Sequence, residues 1–162
     1  AVARAVLDLH LGLPGHSIVL VVPFLALGLS CVPRRRGGIL MGISALGFGG
    51  VLGAAGVGGR VGMGALTSMF VTAMLLEGAM ALARSGGAIY LACTLAGVLS
   101  NTAAFGMRFV GKLLVLTPAD VRHPLELWWP RAAWSYPLCG AAAGLLSAWL
   151  LFKLRDSAGG ER

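Results

Sequence analysis

The stretch GVLSNTAAFGMRFVGKLLVL, Gly97–Leu116, decides how this chain is read. Its length suits a bilayer-crossing helix, which needs about 20 apolar residues. Yet it carries Asn101, Arg108 and Lys112. A charge at the bilayer centre costs about 3 kcal/mol or more, so charges inside a span are absent or useful. At 100° per residue, Thr94, Asn101 and Arg108, spaced seven apart, fall within about 20° of one another successively. Lys112 lies four beyond Arg108 and joins the same face, with Phe105 close by. Lipid does not tolerate such a stripe, so it is expected to face the bundle interior or a wet cavity. A helix entering near Gly87 puts Asn101 about 21 Å along and Arg108 about 31 Å, near the far boundary. Two readings stay open. Arg108 and Lys112 snorkel to headgroups, or they form the cationic rim of an outward-opening pocket above an amide and a hydroxyl.

The rest of the chain agrees with a membrane setting. It has 162 residues, 57% hydrophobic and 12% charged, with a mean hydropathy of +0.85. A soluble domain of this size exposes more charge. One transmembrane domain over 1–162 is expected, with helices at about 1–13, 17–33, 38–57, 62–83, 87–116 and 132–152. The fold class predicted is therefore an all-α integral membrane protein, a six-transmembrane-helix bundle with a short first helix. That first segment, AVARAVLDLHLGLPG, is broken by Pro14-Gly15, a strong turn signal. No typical signal peptide or separate soluble module is expected.

Charge sets the expected orientation. Arg4, Arg34, Arg35, Arg36, Arg84, Lys153, Arg155 and Arg162 on one side oppose Arg60, Arg122 and Arg131 on the other. Eight against three is a positive-inside bias, placing both termini in the cytoplasm. The net charge of +7 is spread over loop anchors between apolar runs, so nucleic acid is not an expected partner. Cys31, Cys93 and Cys139 show neither disulfide nor zinc spacing.

Other features carry two readings each. TPADVRHPLELWWPRAAWSY (117–136) reads as an outer loop ending in Trp128, Trp129, Trp134 and Tyr136. Those rings suit an aromatic belt, or a lid whose rings face a ligand. Glu77 is the sole acid inside a span and lies about 22 Å down its helix; it suits a structural contact with Arg84 or a partner, or a transport relay. His10 and His16 flank the first turn, where capping is the default and a metal site the alternative. Gly38, Gly42, Gly49 and Gly56, and the GAAAG of Gly140–Gly144, are packing signals. The motifs GxSxG, HExxH and GxxxxGK[ST] are absent from the sequence. No enzyme activity, cofactor or resident metal is expected.

AVARA (Ala1 to Ala5), RRRGGILMGISALGFGG and YPLCGAAAGLLSAWLL, within six short Gly/Ala-rich helices, give a further lead. Together they resemble the substrate-capture (S) component of an energy-coupling factor transporter, a vitamin- or metal-specific ABC importer of bacterial or archaeal cytoplasmic membranes. The resemblance implies a small polar nutrient bound at the outer face. It implies delivery inward with a transmembrane T subunit and two ATPase subunits. Ala1 and Ala5 would dock on the T subunit. The implied pocket draws on Asn101, Arg108, Trp134, Tyr136 and His16, with Thr94 and Lys112 from the polar stripe. Rival expectations are a non-transporting membrane scaffold or anchor subunit, and a nickel- or cobalt-type importer subunit using His10 and His16.

Overall fold

A computed structural model describes residues 14–31, 37–55, 63–83, 86–114 and 125–159. The described residues form five α-helices: α1 (Ile18–Cys31), α2 (Gly37–Ala54), α3 (Met63–Leu82), α4 (Gly86–Leu113) and α5 (Leu125–Gly159). No strand occurs among the described residues. Three helices are long and apolar enough to cross a membrane: Gly64–Leu82, Gly86–Leu113 and Leu125–Lys153. Two more, Ile18–Cys31 and Gly37–Val51, are apolar but shorter. The described residues are all-helical, and their apolar helices make the chain a multi-pass membrane protein. The expected first helix, 1–13, lies outside the described residues, as do Ala1, Ala5, His10 and Arg84.

The helices pack through small residues, as membrane helices do without a hydrophobic force between them. α2 and α3 are antiparallel: a side chain at Gly38 would meet Ala73 and Glu77, one at Gly42 would meet Phe70, and one at Gly49 Leu66. α3 and α4 are antiparallel too, with Gly64 against Ala104 and Arg108. α4 and α5 approach closest. Added side chains at Gly97, Gly140 and Gly144 would all collide with the backbone of the opposite helix. Tyr90 stacks on Phe152 farther along the same pair, with centroids 5.1 Å apart and planes 5° from parallel.

α1 fills the space between the others. Ile18, Val22, Leu25, Ala26 and Leu29 are buried, a stripe at helical spacing. They share one core with Ala73 and Leu76 of α3, Cys93 and Ala96 of α4, and Ala143, Ala148 and Leu151 of α5. A second, separate cluster of Ala104, Trp128, Ala132 and Tyr136 lies toward the opposite end of α5.

One expected boundary is corrected. Helix α5 begins at Leu125, not near 132, so the second half of the expected outer loop is helical. The prolines of this segment point to a loop, because a proline in a helix interior usually breaks it. Pro130 sits in the second turn and deprives only the Glu126 carbonyl of its helical partner. Trp128, Ala132 and Tyr136, at i, i+4 and i+8, bury against α4 and offset that loss. Pro137 is likewise accommodated inside α5.

Glu77 has a structural place. Its Oε2 accepts from the Ile39 N–H at 3.2 Å, near the start of α2. The first N–H groups of a helix have no internal acceptor, and the helix dipole favours an anion there. Glu77 therefore joins α3 to the beginning of α2. Arg84, the other partner considered for it, lies outside the described residues.

Candidate functional site

Asn101 anchors one end of the bundle. It is 2% exposed, and its Nδ2 donates to the Tyr136 carbonyl at 2.7 Å and the Gly15 carbonyl at 3.3 Å. A carboxamide carries two N–H donors, so both serve main-chain acceptors on α5 and on the turn before α1. The Ser135 hydroxyl donates to the Pro14 carbonyl at 2.9 Å. The Pro14-Gly15 turn is thus stapled to α4 through Asn101 and to α5 through Ser135. Gly15 has φ of +83°, a region side-chain-bearing residues rarely adopt. A Cβ there would lie 3.0 Å from the Tyr136 ring. Only glycine meets both conditions.

Above this staple the rings gather. Phe105 stacks on Trp128 at 5.7 Å and tilts against Tyr136 at 5.6 Å. Trp128 meets Tyr136 edge-on at 6.4 Å. Such geometries are favoured by ring quadrupoles and add to the area buried. Phe109 extends the cluster from Phe105 at 5.9 Å.

Two cations rim it. Arg108 Nη1 donates to Tyr136 Oη at 3.2 Å, while its aliphatic stem lies on Gly64 of α3. The residue as a whole is exposed. Lys112 Nζ sits 5.3 Å from the centre of the Trp128 ring, a cation–π distance. α4 has 28 residues, about 42 Å of helix against a hydrocarbon core of about 30 Å. Measured from Gly86, Arg108 lies about 33 Å along, so both cations fall at or beyond the edge of that core.

Of the expected site residues, Asn101, Arg108, Lys112 and Tyr136 come together. His16 lies next to the stapled Gly15, half-buried, its carbonyl accepting from the Val19 N–H at 3.1 Å. Thr94 does not join them. It lies beside Gly144 at the backbone crossing, and its hydroxyl donates to the Tyr90 carbonyl of its own helix at 2.7 Å. Trp134 is 53% exposed and lies two positions, about 200°, around α5 from Tyr136.

Sequence reasoning passes over Ser135 and Gly64, whose roles depend on which helix lies opposite, and reads Gly15 as a turn without its contact to Tyr136. Trp128 is open in the sequence between belt and lid, and its i, i+4, i+8 relation to Ala132 and Tyr136 is the signal that places it on a buried helix face. Thr72 is a further surprise: it is fully buried in α3 and its hydroxyl has no hydrogen-bond partner. Ser100 and Ser147, equally buried, donate instead to carbonyls of their own helices. Among the described residues, no group of three or more His, Cys, Asp or Glu could hold a metal ion.

Comparison with known families, curated proteins and solved structures finds no match to this chain.

Proposed function

We propose that the chain is a substrate-capturing membrane subunit of an energy-coupling-factor-type importer. It would take up a small polar nutrient at the Arg108 end of the bundle and deliver it inward with a T subunit and two ATPase subunits. In this reading six spans cross a bacterial or archaeal cytoplasmic membrane, both termini are cytoplasmic, and the Arg108 end faces outward. Ala1 and Ala5 supply the docking face.

One observation carries the proposal. An exposed guanidinium is held by the Tyr136 hydroxyl at the edge of a three-ring cluster, one helical turn from Lys112. Arg108 and Lys112 would attract the solute, the rings would pack against it, and Asn101 would keep Tyr136 in place. Identification by mass spectrometry of small molecules released from the purified, denatured protein tests it. A stoichiometric solute, absent from Arg108→Ala preparations, is the expected result. An extract empty for both proteins would overturn it.

A second reading, a scaffold or anchor subunit, is favoured by Asn101, whose amide hydrogens both go to its own chain. It predicts no solute and a stable complex that survives Arg108→Ala.

A further inference from the structure

We infer that the exposed face of α5 is a lipid contact built for a thin bilayer, one whose hydrocarbon core is about 22 Å where it meets the protein, against about 30 Å in an ordinary membrane. The inference rests on the chain crossing a membrane and is independent of solute capture.

The face itself sets the limits. Trp134, Leu138, Ala142, Leu145 and Trp149 are all exposed, and they fall in one stripe about 80° wide on α5. Between the two tryptophans the stripe is apolar throughout. A cation stands about one turn beyond each: Arg131 before Trp134 and Lys153 after Trp149, both exposed. Lys153 Nζ lies 5.1 Å from the centre of the Trp149 ring, which brings an ammonium to that tryptophan's level. An apolar middle, then an indole, then a cation at each end follows the layers of a bilayer, because indoles favour the headgroup level and long basic side chains reach the water beyond it. The two indoles are fifteen residues apart, about 22 Å of helix.

Three other lengths agree. α1 begins just past the Gly15 carbonyl that Asn101 holds and runs for 14 residues, about 21 Å. Arg34, Arg35 and Arg36 follow it in the sequence. The apolar part of α2, Gly37–Val51, is about 22 Å long. The third length lies between charges. The Arg108 stem rests on Gly64, and Glu77, which meets the start of α2, follows thirteen residues later on α3, about 20 Å along its axis. A core of about 30 Å puts one of these charges well inside hydrocarbon, which is costly, and any tilt of α3 only shortens the distance. α3 stays apolar as far as Leu82, yet filling a thick core with that stretch leaves the Glu77 carboxylate about 7 Å deep. Lipid meets spans shorter than itself by thinning around them.

The test uses the purified full chain in bilayers of dimyristoleoyl-, dioleoyl- or dierucoyl-phosphatidylcholine, a series of increasing acyl-chain length. The melting temperature of the wild type is expected to be highest in the shortest lipid and to fall by several degrees at each lengthening. A maximum in either longer lipid, or no dependence on length, overturns the inference. A second arm keeps one of the four tryptophans at a time, Trp134 or Trp149, with the other three replaced by phenylalanine. Fluorescence is read in dioleoyl-phosphatidylcholine doped with phosphatidylcholine brominated near the carbonyl end or near the methyl end of its acyl chain. Both tryptophans are expected to be quenched at least twofold more by the shallow bromines. Equal or stronger quenching of either one by the deep bromines overturns the thin core. No quenching by either lipid also overturns it, because a protein partner or a second copy then covers the stripe. Where a triple variant does not fold, the wild-type melting series decides.

Discussion

Helix α4 lives two different lives along its length. From Cys93 to Gly97 it meets α5 backbone to backbone, with no side chain between them at Gly97, Gly140 and Gly144. From Asn101 to Lys112 it meets α5 only through side chains: an amide, three rings, a guanidinium and an ammonium. The first contact suits lipid, where close approach and dispersion hold helices together. The second fills the space beyond the crossing with polar and aromatic side chains. One end of the pair is a backbone joint, and the other is the end at which the proposed solute would bind.

That contrast can be broken most severely at the joint. Gly97→Ala or Gly140→Ala pushes a methyl into the opposite backbone, and overpacking of this kind costs about 3 kcal/mol. Melting in detergent should drop by many degrees for each. A Gly106→Ala control, where a Cβ meets nothing within 4 Å, should melt at or slightly above wild type.

At the other end, Asn101→Ala removes two hydrogen bonds, one to α5 and one to the turn before α1. Bonds of this type contribute about 0.6 kcal/mol each in membrane bundles and at most about 1.7. A loss of about 1–2 kcal/mol is expected, with faster protease cleavage near the released Pro14-Gly15 turn. Unchanged melting and cleavage would mean that the staple does not hold the turn.

Smaller again, Glu77→Ala should cost about 1 kcal/mol by leaving the start of α2 without its anionic acceptor. Glu77→Gln retains an acceptor without the charge and should recover part of that loss. The smallest effect has the opposite sign. Thr72→Val replaces an unpartnered buried hydroxyl with a methyl, so thermal melting should rise by the equivalent of about 1 kcal/mol. A fall on Thr72→Val would mean that the hydroxyl has a partner.

Much of this was legible in the sequence, for reasons that differ by residue. The all-helical class and the polar face of α4 follow from composition and from the seven-residue spacing of Thr94, Asn101 and Arg108. That face is not uniform, however. A threonine can satisfy its hydroxyl on its own helix, as Thr94 does with Tyr90, whereas an asparagine amide reaches outward, as Asn101 does. The start of α5 was misplaced because local rules weigh Pro130 heavily, while burial of Trp128 and Tyr136 depends on a helix far away in sequence. For Glu77 the sequence offers a structural contact, with Arg84 or a partner, or a relay; that it meets the start of α2 depends on α2 packing against α3. Local chemistry is written in the sequence; the identity of the facing surface is not.

The central claim is that the side-chain-mediated end of α4 and α5 holds a small molecule through Arg108. Native mass spectrometry of the intact protein, wild type beside Arg108→Ala, tests it most directly. The account predicts a discrete mass adduct on the wild type that is lost from the variant while both melt at the same temperature. The same adduct on both proteins, or on neither, would contradict it.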